Sequence, residues 1–283
     1  MTQKKYFFIL FSFIFFQSYS YDLFSSLYAI LHNPLSISFI SQGCGFFADN
    51  SISRFAIPLF IKKYNIALDE IEKKTFCSLN DFFTRTLKPG SRPIKNHIVS
   101  PADGIITVYQ NIQPTTSLLV KNQRFDLQSF LGPSINASAF YGGTVAIIYL
   151  APHNYHRYHA PFDCTPLKAV RIPGRYESVS YLAYTNGIDP LVENERQLIV
   201  LDSNTLMVTV GALCVGRITQ TYTPNISLKK GQEMGYFSFG GSTVVLVFKP
   251  NTVRFDATLT QNSTPILMGQ TIAKYTNFES KNE

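Results

Sequence analysis

Five runs in the later part of the chain share one texture: successive apolar or β-branched residues, each bounded by turn-forming residues. They are ITVY after Asp103-Gly104, TVAIIYL from Thr144, QLIVLD from Gln197, LMVTVGALCVG from Leu206 and STVVLVF from Ser242. Such spacing predicts short strands in a compact β-rich domain, and the five apolar residues after Thr243 predict a buried strand. Up to about Lys74 the texture differs, with apolar residues at helical spacing and glycine concentrated at Gly43 and Gly45. In LFSSLYAIL, Leu23, Leu27, Ile30 and Leu31 fall near one helical face, a pattern shared by interfacial and core-packing helices. The turn-rich loop LKPGSRPI, Leu87–Ile94, separates the two textures. The expected fold class is therefore α+β, with a helical membrane-associating segment over residues 1–80 and a β-rich catalytic domain over 81–283. No internal repeat or low-complexity linker interrupts either.

The amino terminus sharpens the membrane reading. After Lys4 and Lys5, the eleven residues Tyr6–Phe16 carry no charge. As a helix they reach about 16 Å at ~1.5 Å per residue, short of a hydrocarbon core of roughly 30 Å. They are not expected to span alone. Two lysines, a short apolar run and then Ser18-Tyr19-Ser20 also fit a secretory signal, which stays open.

Charge points the same way. The 283 residues carry a net charge of +7, and between Arg54 and Lys95 nine Lys or Arg face four Asp or Glu. A basic run is ordinarily a solvated face; here an anionic lipid surface is the sharper reading, while nucleic acid is disfavoured because the segment has no binding motif and the protein as a whole is apolar. The four cysteines, Cys44, Cys77, Cys164 and Cys214, form no CxxC pair and are expected reduced and packed. With 24 Phe, 16 Tyr and no Trp, a large aromatic payload must be buried or placed at an interface.

Three segments carry candidate chemistry. In SPADG, Asp103 follows a proline-fixed turn and precedes a strand, a place that turn chemistry alone also explains. In APHNYHRYHAPFDC, three of the five histidines, His153, His156 and His159, lie between two prolines. Their three-and-three spacing scatters them around a helix or alternates them on a strand, so no metal site is expected and acid-base work suits them better. In FGGSTVVLVF, Gly240 and Gly241 abut the stiff strand that begins at Ser242, as in a tight hairpin or bulge.

Taken together, FFTRTLKPGSRPI (Phe82–Ile94), SPADG, YHRYH (Tyr155–His159), VENER (Val192–Arg196), VGALCVGRI (Val210–Ile218) and KKGQEMGYFSFGGST (Lys229–Thr243) resemble the phosphatidylserine decarboxylases over roughly residues 54–250. One departure is Gly240-Gly241-Ser242-Thr243 where that family commonly has Leu-Gly-Ser-Thr; the scissile Gly-Ser pair is intact. The first fifty residues match no family pattern.

The resemblance implies a proenzyme that cuts its own Gly241–Ser242 bond into chains 1–241 and 242–283. Ser242 Oγ attacks the Gly241 carbonyl, a geometry that glycine eases, and the ester eliminates to dehydroalanine, which hydrolyses to a pyruvoyl group and ammonia. Asp103, His159 and Ser242 carry over as the cleavage triad, with His156 as proton donor in decarboxylation. The cofactor is thus a covalent pyruvoyl group made from Ser242, which forms a Schiff base with phosphatidylserine and acts as electron sink. His153 receives no role. The implied protein is a carboxy-lyase making phosphatidylethanolamine, peripheral to the cell or inner membrane, with a homodimer left open. Two other readings stand beside it: a pyruvoyl decarboxylase of a soluble amino acid, and a non-enzymatic membrane-binding β-domain in which GGST is only a turn.

Overall fold

The computed structural model describes residues 43–114, 116, 118–120, 123–175, 190–211 and 217–276. The Tyr6–Phe16 and Leu23–Leu31 readings, the signal alternative and Cys214 lie outside the described residues.

The centre is an antiparallel seven-stranded sheet in the order β14 (Thr264–Ile266), β2 (Gly104–Gln110), β5 (Thr144–Leu150), β12 (Ser242–Phe248), β9 (Thr205–Gly211), β8 (Arg196–Val200) and β7 (Val170–Ile172). All seven residues of β12 are buried. Its alternating side chains enter two different cores, as the two-residue period of a strand requires. Val244, Leu246 and Phe248 pack with Ala146, Ile148 and Met207, whereas Val245 and Val247 pack with Val145, Ile147 and Val208. A strand covered on both faces needs no polar alternation, which is why its sequence is a continuous apolar run.

The first core is closed by two three-stranded sheets. One joins β1 (Ile98–Val99), β15 (Thr271–Tyr275) and β13 (Val253–Phe255); the other joins β10 (Ile218–Gln220), β11 (Glu233–Phe237) and β6 (Arg157–His159). The second core lies under a short helix, Leu127–Leu131, and the 3-10 turn Ala137–Phe140. A small hairpin pairs β3 (Leu118–Val120) with β4 (Gln123–Phe125).

Helices in the described part of the expected membrane segment are short. Residues 43–49 are helical, a 3-10 turn follows over Ser51–Ala56, α1 covers Ile57–Tyr64 and α2 covers Leu79–Phe83. Residues 65–78 contain no helix. None of the described helices is long and apolar enough to cross a membrane. Phe60 of α1 packs with Phe82 and Phe83 of α2 and with Phe239, so this segment builds a third core against the loop that leads into Ser242.

Candidate active site

Ser242 is the first residue of β12 and fully buried. It pairs with Leu150 at the end of β5 and Gly211 at the end of β9, so it stands where three central strands finish together. The preceding loop is pinned: Phe239 N–H donates to Asn80 Oδ1 at 2.8 Å, and the Phe239 ring lies 5.2 Å from that of Phe83. Gly240 has φ +145°, a region L side chains rarely adopt. The positive φ thus falls on Gly240 rather than on Gly241, the glycine whose carbonyl the expected cleavage would use. It coincides with the departure from the family tetrapeptide.

β5 ends at Leu150, and the chain turns back through 151–156 before entering β6, which delivers His156 to Ser242. His156 is fully buried, with Nδ1 3.0 Å from Ser242 Oγ and Nε2 3.1 Å from the Ala151 carbonyl. A carbonyl only accepts, so Nε2 carries the proton and Nδ1 is left as acceptor for the serine hydroxyl. The Phe83 ring stacks on the imidazole at 3.8 Å. Desolvation pushes the pKa of His156 well below its ordinary 6.5, and the nearby Arg85 charge pushes the same way. The imidazole is therefore neutral at neutral pH, with Nδ1 unprotonated.

His159 lies in the same strand segment but has other partners. Its Nδ1–H donates to the Gly231 carbonyl at 3.0 Å, and Nε2 accepts from the Tyr155 hydroxyl at 3.1 Å. Burial lowers its pKa as well. Asp103 reaches this neighbourhood because His159 N–H donates to the Pro101 carbonyl at 2.8 Å. Its carboxylate, however, takes Arg92 Nη2 at 2.7 Å, Arg92 Nε at 3.0 and 3.1 Å, and the Met268 N–H at 2.8 Å. The arrangement therefore does not join Asp103, His159 and Ser242 in one hydrogen-bonded line. Arg92 outcompetes a neutral imidazole for the carboxylate, and Tyr155 occupies the His159 nitrogen that would face a serine.

Gly104 after Asp103 has a tighter reason than turn chemistry. A Cβ there would stand 2.3 Å from the Tyr149 carbonyl oxygen on β5. His153 is exposed, and its main-chain carbonyl, rather than its ring, is what the site uses.

Two arginines of the FFTRTLKPGSRPI segment were counted in the sequence with the basic surface, and both turn inward. Arg85 is 5% exposed and donates through Nη2 to the carbonyls of His153 at 2.7 Å and Asn154 at 2.9 Å. Arg92 bridges Asp103 and Glu70. A further cation, Lys73, pairs with Asp81, so the free positive face is smaller than nine charges. The signal that could have found these arginines is their setting: Arg85 stands two residues after the aromatic pair Phe82-Phe83, in a segment with no alternating polar face.

Cys44 and Cys164 are buried thiols, whereas Cys77 is exposed, contrary to the packed state expected of it; it lies in the irregular stretch before α2. Among the described residues no group of three His, Cys, Asp or Glu could hold a metal ion.

The phosphatidylserine decarboxylase family model matches residues 79–274, which takes in Arg85, Arg92, Asp103, His156, His159 and Ser242. Three curated relatives, each named phosphatidylserine decarboxylase proenzyme, are similar over most of their length. The Chlamydia pneumoniae protein is 40% identical over 238 residues, 79% of each chain. That of Clostridium perfringens is 37% identical over 242 residues, 81% of this chain and 82% of its own. That of Fusobacterium nucleatum is 38% identical over 254 residues, 85% of each. With a family match across most of the chain and relatives at this identity, this protein belongs to the phosphatidylserine decarboxylase family and is, by class, a carboxy-lyase.

Proposed function

We propose that the chain is made as a proenzyme that cuts its own Gly241–Ser242 bond and then decarboxylates phosphatidylserine to phosphatidylethanolamine. The observation that carries this reading is the contact between unprotonated Nδ1 of His156 and Ser242 Oγ, in a buried site that opens a central strand.

Cleavage begins with Ser242 Oγ bonding to the Gly241 carbonyl carbon while its proton passes to a base; the Gly241–Ser242 C–N bond breaks to leave an ester. Elimination releases residues 1–241 with a carboxylate end, and hydrolysis of the resulting dehydroalanine nitrogen expels ammonia and leaves a pyruvoyl group on 242–283. The residues present fit that group, because it is built from the carbons of Ser242, already buried beside an imidazole. Once formed, it supplies an electrophilic carbonyl that engages the substrate's amine and accepts the electron pair released as CO2 departs.

His156 supports the second reaction directly. Its Nδ1 can take a proton as the substrate's ammonium becomes a free amine and return one to the α-carbon, the kind of positioned transfer typically worth on the order of 10² to 10⁴ in rate. Asp103 and His159 take cleavage on the strength of the shared motifs. For that, His159 Nε2 must exchange the Tyr155 hydroxyl for that of Ser242. His156 needs no such exchange, so it is the competing base, and variants scored for both reactions separate the two.

A lipid substrate is supported by the surface beside the site. Ile52, Phe55 and Leu59 are 59%, 70% and 48% exposed at helical spacing, Phe46 is 76% exposed, and Arg54 and Lys62 are exposed beside them. An apolar stripe with flanking cations fits the headgroup region of an anionic bilayer. The test is CO2 release from phosphatidylserine vesicles against free serine. Release from serine alone would favour the soluble-substrate reading.

A further inference from the structure

Arg85 is buried without an anion in contact: among the described residues no carboxylate is ion-paired with it, the nearby Asp103 charge acts on it only through space, and its hydrogen bonds go to main-chain carbonyls of Phe83, His153 and Asn154. Burying an unpaired cation costs several kcal/mol, which a methionine of similar reach would avoid. Desolvation brings its pKa down to about 10, so the charge persists at neutral pH. A purely space-filling role does not explain a charge kept on these terms.

Its two shortest bonds hold consecutive carbonyls in the loop that carries His156. Asn154 closes that loop, donating its N–H to the Ala151 carbonyl at 2.9 Å and accepting from Ala151 N–H through Oδ1 at 2.7 Å. The Ala151 carbonyl is also the acceptor for Nε2–H of His156. A continuous line of contacts thus runs from Arg85 through the loop to Nε2 of His156, and the proton held there leaves Nδ1 bare toward Ser242. Of charged or titratable groups, Arg85 from the α2 side and His153 from the loop itself face His156, and Phe83 and Ser242 pack on its ring.

We propose that Arg85 is a positioning residue: it fixes the loop that sets the tautomer of His156, and its charge keeps that imidazole free of a second proton. The inference rests on His156 acting at residue 242. Its consequence is an imidazole that is a free acceptor at rest and, once protonated, a strong acid toward the α-carbon.

The test titrates His156 by NMR in full-length Ser242→Ala protein, where neither cleavage nor turnover enters, with the resonance assigned by its loss in His156→Gln. Arg85→Gln should move the His156 titration upward by about one unit or more, a tenfold change in proton affinity. Arg85→Lys should leave it near the parent value. In the cleaved enzyme, Arg85→Lys should lower kcat with KM little changed while keeping the acid limb of the pH profile in place. An unmoved titration in Arg85→Gln, or equal shifts in Gln and Lys, overturns the proposal. Should Arg85→Gln not fold, Arg85→Lys decides alone: an acid limb displaced upward contradicts the role of the charge, and a limb in place with reduced kcat supports it. Titration shifts as expected in the Arg85 variants, but no decarboxylation of phosphatidylserine by the cleaved parent enzyme, would instead count against the assigned reaction.

Discussion

His156 donates from Nε2 to the Ala151 carbonyl and turns its bare Nδ1 to Ser242 Oγ at 3.0 Å, so the tautomer of one residue decides what the other can do. His159, three residues on, is held in the opposite sense, with Nδ1 protonated and Nε2 on Tyr155. Two neutral imidazoles of opposite tautomer in one buried segment allow two proton-transfer tasks to be divided between them.

That division predicts different phenotypes. His156→Ala should still cleave, at least in part, but lose decarboxylation by on the order of 10² or more once scored per cleaved chain. His159→Ala and Asp103→Ala should remain largely uncut. Gel analysis for cleavage and CO2 release for turnover read the two separately. An uncut His156→Ala protein would hand cleavage to His156, the imidazole already in contact.

The lowered pKa of both buried histidines ties stability to pH with a definite sign. Each is neutral in the fold below its ordinary 6.5, whereas the unfolded chain takes up the proton there, so acid favours unfolding. Stability of the Ser242→Ala protein should be level above about pH 7 and fall as pH drops below 6.5. Each histidine contributes a slope of up to ~1.4 kcal/mol per pH unit. Adding His156→Gln should flatten the fall between pH 6.5 and 5 in urea titrations; an unchanged slope would mean His156 titrates normally.

Arg92 and its two acids should rank by burial. The Asp103 side chain is 3% exposed and that of Glu70 40%, though both meet the same guanidinium. Removing one partner of a buried pair typically costs about 3–5 kcal/mol, and an exposed pair is worth roughly 0–1. Arg92→Met should therefore lower the thermal midpoint strongly and impair cleavage, while Glu70→Gln should barely register. Equal effects would mean that Glu70, not Asp103, is the partner that matters.

On the membrane side, replacing Phe46, Phe55 and Leu59 with serine should weaken binding to phosphatidylserine vesicles at all salt concentrations. Lys62→Glu with Lys63→Glu should remove the salt-sensitive share, each cation being worth on the order of 1 kcal/mol near an anionic surface. Cosedimentation across a salt series measures both. Binding unaffected by the apolar changes would move the contact elsewhere on the protein.

Much of the fold could be read before any coordinates. TVAIIYL and STVVLVF coincide with β5 and β12 because a doubly covered strand writes itself as an unbroken apolar run. β6 could not be read this way: Arg157–His159 is three residues with a charge at its start, and it is a strand only because β11 pairs with it. The candidate residues could be named from the sequence, but not the bonds between them. Which histidine meets Ser242 depends on where β5 ends and how the 151–156 loop returns. Asp103 bonds Arg92 rather than an imidazole because a segment eleven residues upstream folds over it. Arg85 looked like one more surface cation, since nothing local reveals that its partners are carbonyls sixty-eight and sixty-nine residues away.

If Ser242 is both the cleavage point and the source of the reactive group, the intact mass of the purified full-length protein must show it. The expected result is a fragment of residues 242–283 whose first residue is a pyruvoyl group, refractory to stepwise amino-terminal degradation, and a single uncut chain for Ser242→Ala. An uncut wild-type chain that nevertheless releases CO2, a cut at any other bond, or a 242–283 fragment still beginning with serine would contradict it.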